Sequence, residues 1–193
     1  MILILNNTIK GISVFVYNLI MKSHITPESS PKTPSDYQVF DNPCLSPVSP
    51  DRILRYLSFL KVYKFIYNIF DYLYLEPEAM LGAIVYLQKF LSTSVPSIAL
   101  SIYNWERIIT TCIIISSKMW DGKDRSLTSM WWALQHFTRI SSSHEYKRME
   151  FLILNSLGYS LYLSSKDYKD IYYIAKELWC KTRLTQRWEI KEK

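Results

Sequence analysis

Residues 102–119 read IYNWERIITTCIIISSKM. Between Ile108 and Ile115 every residue is apolar except Thr110 and Thr111, so this run shows no polar face. A helix that is apolar all round is enclosed by its neighbours. A fully buried strand is the rival reading of such a run, but its length and its polar flanks favour a helix. Ser116 and Ser117 are small enough to let another backbone approach. The segment is therefore predicted to be the central helix of a compact bundle.

Working outward, residues 93–101 (TSVPSIALS) read as a connector, preceded by a helix over about 76–92. Pro77 suits the first turn of that helix, and Glu78 complements its free amides. Leu81, Ile84, Val85, Leu87 and Leu91 form its inward stripe. A further helix is predicted over 51–68, with Ile53, Leu54, Leu57, Leu60 and Tyr63 apolar and Pro50 near its first turn. Downstream, WDGKDRS at 120–126 is a loop, followed by helices over 127–138 and 144–157. Met149, Leu152, Ile153 and Leu157 face inward, and Gly158 stands where a left-handed C-terminal cap belongs. A sixth helix is predicted over 164–179, capped by Ser165 with Asp167. Residues 181–193 read as a polar, fraying tail.

Composition supports an all-α fold. The 193 residues include only 4 Gly and 8 Pro, and six of the prolines lie between residues 27 and 50. Apolar residues make up 49% and charged residues 21%, which excludes a disordered polyelectrolyte. The net charge of +6 resides mostly in residues 101–193, with fifteen basic and ten acidic groups. No run of four basic residues occurs, so direct nucleic-acid binding is not expected. The three cysteines, Cys44, Cys112 and Cys180, are too scattered for a disulfide framework or a metal cluster. His24, His136 and His144 lie in separate segments. No nucleotide loop, HExxH, CxxC or nucleophile elbow is present, so neither an enzyme nor a cofactor site is expected.

The chain divides into an apolar segment (1–22), a Ser/Pro-rich linker (23–50), a helical domain (51–180) and the polar tail (181–193). The apolar segment is interrupted by Asn6, Asn7, Lys10 and Asn18, so a helix or strand packed on the domain, or a partly ordered tail, is expected rather than an anchor. The linker, expected to lack regular structure, contains five Ser/Thr–Pro pairs. Thr26, Ser30, Thr33, Ser46 and Ser49 are thus candidate phosphorylation sites for a proline-directed kinase.

Residues 78–180 resemble most of a cyclin box. AMLGAIVYLQKFL at 79–91 is similar to its second helix, and WERIITTCIIISSKMWDG at 105–122 to its third. EYKRMEFLILNSLGYSLYLSSKDYKDIYY at 145–173 is similar to the fifth helix and the start of the next segment. The set falls in cyclin order and spacing, and the cyclin Y-like and phosphate-pathway (P/U-type) subclass is the nearest. Gln88–Lys89–Phe90 stands where the family usually has Asp–Arg–Phe, and Gly122 where the subclass often has a second Asp.

The resemblance implies an all-α cyclin fold, with one five-helix box and additional flanking helices. It implies a regulatory subunit that binds a cyclin-dependent serine/threonine kinase and positions its C-helix, supplying no catalytic group itself. Cell-cycle control, phosphate response and membrane-linked signalling all remain open under it, as do a cytoplasmic and a nuclear location. Lys118 and Glu150 correspond to the family's kinase clamp. Met119, Trp120, Phe151 and Leu154 are their candidate apolar neighbours, and Arg52 and Arg55 are weaker ones. The alternative is a cyclin-fold adaptor in a protein or nucleic-acid complex that activates no kinase. The single box and the Lys118–Glu150 pair favour the kinase reading.

Overall fold

The computed structural model of the chain describes residues 2–25, 33–42, 57–121 and 127–185. Every regular element among them is helical: α1 (Ile2–Ile25), a 3-10 turn (Ser35–Phe40), α2 (Phe59–Tyr72), α3 (Pro77–Thr93), α4 (Trp105–Asp121), α5 (Leu127–Thr138), α6 (Ser143–Ser156) and α7 (Ser165–Thr185). The fold is all-α, as expected. α4 lies at the centre, packed most extensively on α3 and also on α5, α6 and the 3-10 turn. From Arg107 to Ser117 every residue of α4 is buried. Gly82 of α3 lets the two helices close on each other, because a Cβ there would stand 2.5 Å from Ser116 Oγ.

Local chemistry sets the helix ends. Ser58 caps α2 by accepting from the Lys61 N–H (3.1 Å). This start moves the helix from the expected 51–68 to Phe59–Tyr72, and residues 51–56 lie outside the described part. The inward stripe shifts with it: Val62, Ile66, Ile69 and Phe70 are buried, whereas Leu60 is 53% exposed. The cap of α7 is Ser164, not Ser165. Its Oγ accepts from the Asp167 N–H (3.2 Å), while Asp167 Oδ2 accepts from the Ser164 N–H (2.7 Å). This reciprocal pair satisfies two exposed amides. Gly158 has φ +56°, the left-handed conformation expected after α6.

The N-terminal segment forms α1, which lies against α7 and α2. Ile9, Ile12, Val16 and Ile20 form its buried stripe. Gly11 sits at the crossing, where a Cβ would collide with the Ala175 carbonyl. Lys10, which interrupts the apolar run, lies over the Trp179 ring at 5.1 Å, and Trp179 stacks on Phe59 at 6.3 Å. These contacts, and a Glu177–Lys181 ion pair (2.6 Å), help α7 continue past its expected end at 179 to Thr185. No helix among the described residues is long and apolar enough to cross a membrane.

The segment expected to lack regular structure (23–50) contains two ordered pieces. α1 continues to Ile25, and residues 33–42 form a strap built on the 3-10 turn. Tyr37 and Phe40 of the strap are buried, and their rings stand 5.8 and 5.7 Å from that of Phe90 on α3. Two aromatic anchors thus outweigh a proline-rich composition. Of the five Ser/Thr–Pro candidates, Thr33 lies on this strap; Thr26, Ser30, Ser46 and Ser49 lie outside the described residues, as do Arg52 and Arg55.

Candidate functional site

The last turn of α4 emerges from the core. After eleven buried positions the helix reaches the surface, and Lys118, Met119 and Trp120 are all exposed. Lys118 also occupies the end of the helix where a cation is favoured by the backbone dipoles. Across from it, α6 presents Tyr146 and Glu150, one turn apart on the same face. Lys118 Nζ donates to Glu150 Oε1 (2.6 Å) and to Tyr146 Oη (3.0 Å), and it lies 5.3 Å from the Tyr146 ring centre. The Lys118 side chain is 37% exposed and that of Glu150 20%, so the pair is preformed yet reachable from solvent.

Tyr146 completes this arrangement. Burial, reinforced by the charge of Glu150 and a hydrogen bond to it, pushes the phenol well above its ordinary range. The hydroxyl therefore stays protonated and holds both charged partners. The sequence reading passed over Tyr146; its i, i+4 relation to Glu150 was the available signal.

The same two helices expose large apolar side chains next in sequence to these charges. Met119 is 53% exposed, Trp120 45% and Phe151 54%. Trp120 leans edge-on against Tyr168 of α7 at 5.7 Å. Leu154 is half-buried and packs against the core. Lys118, Glu150, Met119 and Trp120 thus come from the two helices that the sequence had pointed to. Exposed aromatic rings next in sequence to a preformed charge pair have the make-up of an interface anchor.

Near the opposite end of α4, its contact with α6 is braced by a residue that sequence reasoning also missed. Arg107, one of the largest fully buried side chains, donates to Thr138 O (Nε, 3.2 Å), Val39 O (Nη1, 2.9 Å), Arg139 O (Nη2, 3.2 Å) and Glu145 Oε1 (Nη1, 2.5 Å). Glu145 Oε2 in turn accepts from the Ser141 N–H (3.0 Å) and Ser141 Oγ (3.1 Å). Partial burial works to raise the Glu145 carboxyl, but the Ser141 N–H and the Arg107 guanidinium outweigh it and hold it below the usual carboxylate range. The signal was Arg107 itself, since a charge within an otherwise apolar helix requires partners.

Cys112 and His136, whose residue types often carry chemistry, are each accounted for by packing. Cys112 is enclosed in α4, and burial pushes its thiol far up. His136 is exposed and stacks on Trp132 at 4.5 Å, in a cavity of about 380 Å³ that Asn68, Asp71 and Tyr72 also line. Among the described residues, no group of three or more His, Cys, Asp or Glu side chains could hold a metal ion. The arrangement at Lys118 and Glu150 is suited to docking. A family model, cyclin N-terminal domain, matches residues 56–162. No solved structure matches the chain.

Proposed function

The chain belongs to the cyclin family, and on that premise we propose that it is the regulatory subunit of a cyclin-dependent serine/threonine kinase, which it activates by holding the kinase's C-helix in place. A cyclin-type role is regulatory, and the kinase supplies all catalytic groups. Its Lys–Glu pair and metal-binding Asp must be assembled before phosphoryl transfer, and C-helix placement controls that assembly. A partner that binds only the competent arrangement shifts the kinase toward it.

The observation that carries this reading is the Lys118–Glu150 pair, held by Tyr146, with Met119, Trp120 and Phe151 exposed beside it in sequence on the same two helices. The charges are already paired and hydrogen-bonded, so a docking helix would meet placed donors and acceptors with little reorganisation. The Ser–Lys–Met–Trp–Asp run at 117–121 favours the cyclin Y-like and phosphate-pathway branch of the family.

The test is co-expression with cyclin-dependent kinase catalytic subunits, followed by co-purification and a phosphotransfer assay on a Ser–Pro peptide. The proposal expects a stable complex whose peptide phosphorylation far exceeds that of either chain alone. A complex that forms without activation would instead favour the adaptor role.

A further inference from the structure

The strap of residues 33–42 closes on itself through a hydrogen bond that joins its two ends. Thr33 Oγ1 donates to Asp41 Oδ1 at 2.6 Å. Thr33 is half-buried, and it is followed by Pro34. Beyond this bond the strap is held by its buried rings, Tyr37 and Phe40, and by polar links that include Tyr37 Oη donating to Val95 O (3.3 Å). The Asn42 N–H donates to Tyr103 O (2.7 Å), Asn42 Nδ2 to Glu106 Oε2 (3.3 Å), and Val39 O receives Arg107 Nη1 (2.9 Å). Thr33 therefore carries the following proline that a proline-directed kinase requires, and a change of charge at its hydroxyl meets a carboxylate directly.

We propose that Thr33 is a phosphorylation site whose modification releases the 33–42 strap from α3, α4 and α6. The γ-phosphoryl group of ATP would pass to Thr33 Oγ1. The new Oγ1–P bond forms as the bond to the ADP oxygen breaks, and the hydroxyl proton leaves to the kinase's base. The donor to Asp41 is thereby replaced by a group of charge about −1.5 to −2 at neutral pH. That group faces the Asp41 carboxylate, which is already partly removed from water, and Asp36 adds a second carboxylate to the same strap.

A nearby cation could in principle reverse the effect by binding the phosphate. Among the described residues the cation acting on Asp41 is Arg107, and its guanidinium is already committed to Thr138 O, Val39 O, Arg139 O and Glu145. It is also buried, so it can turn to a phosphate only by abandoning the α4–α6 brace. Repulsion thus dominates. Because the hydroxyl is engaged in the docked strap, the kinase would act on the opened form, and the phosphate then keeps it open. Strap release is independent of which kinase the chain regulates. Only its consequence for the Lys118–Glu150 surface, through the loss of Val39 O from Arg107, rests on the function proposed above.

The experiment uses the full chain with Thr26, Ser30, Ser46 and Ser49 replaced by Ala, incubated with a proline-directed kinase and ATP. The modified residue is mapped by mass spectrometry, and amide hydrogen exchange is followed at Tyr37, Asp41 and Asn42. Phosphate should appear at Thr33. Exchange at these three amides should then rise by about 10-fold or more, with amides in the middle of α3 unchanged. Thr33→Val, which removes the donor without adding charge, should raise exchange less. Asp41→Asn should reduce the effect of the phosphate. Failure to modify Thr33 in the folded chain overturns the site. Unchanged or slower exchange after modification overturns the release, as does an equal rise in Thr33→Val.

Discussion

Arg107→Leu tests the packing account most severely. The substitution retains apolar bulk and removes the guanidinium that ties α4 to α5, α6 and the strap. Three carbonyls (Thr138, Val39 and Arg139) lose their donor, and Glu145 loses its ion partner. Breaking a buried pair from one side costs about 3–5 kcal/mol. Glu145 retains its Ser141 bonds and its side chain is 21% exposed, so it can recover water, which places the expected loss near about 3 kcal/mol. For a chain of this size each kcal/mol lowers Tm by about 2–4 °C, so thermal unfolding followed by circular dichroism should show a fall of about 6–12 °C. Arg107→Lys should recover only part of it, because an ammonium cannot make the four-way contact of a planar fork. A Tm within about 1 °C of the parent for Arg107→Leu would mean that α4 and α6 are held by apolar contact alone, and the brace would have no energetic content.

Two further outcomes follow from the same contacts. The Glu145 carboxyl is held below its unfolded value by the Ser141 N–H and Arg107, so its stabilisation is present above about pH 4.5 and is lost as pH falls through the lower folded value. Asp41 and Glu106, both raised mainly by burial, act in the opposite direction on acidification, so the clean measurement is a difference: Tm of the parent minus Tm of Glu145→Gln should shrink between pH 6 and pH 3, and a constant difference would contradict the assignment. Gly11→Ala should destabilise by about 1–3 kcal/mol despite the better helix propensity of alanine, because the new methyl meets the backbone of Ala175, which cannot swing aside; a raised Tm would mean that α1 and α7 do not cross so closely.

How far the sequence could be read depended on whether a segment carried its own periodicity. α4 and α5 were legible because an all-apolar centre and a polar break define them without reference to anything else, and α5 spans Leu127–Thr138 as expected. α2 was misplaced because Leu57 and Leu60 look like one helical stripe, yet Leu57 precedes the cap at Ser58 and is buried from outside the helix. The strap was hidden because only Tyr37 and Phe40 anchor it, and two rings among prolines give no period; their contacts with Phe90 exist only in three dimensions. At the site, Lys118 and Glu150 were found through resemblance and not through spacing, since a separation of 32 residues carries no local signal. Tyr146 and Arg107 were missed for a related reason: each matters through partners that the chain brings in from other helices.

The central claim is that the Lys118–Glu150 surface binds a kinase. In the free chain this pair is partly exposed, and such pairs contribute only about 0–1 kcal/mol to stability. Within a contact that excludes water, truncating one partner costs about 2–5 kcal/mol, which is about 30-fold or more in Kd. The decisive measurement is calorimetric titration of a cognate cyclin-dependent kinase with the parent chain, Lys118→Ala, Glu150→Ala and the control Lys169→Ala, whose residue is exposed on α7, with thermal unfolding of each variant alongside. The account predicts that both site variants lose binding by at least that factor and fail to activate the kinase, while all four chains unfold within a few degrees of one another and Lys169→Ala binds like the parent. Parent-like binding by Lys118→Ala and Glu150→Ala would contradict it, and so would loss of binding that merely follows unfolding of the domain.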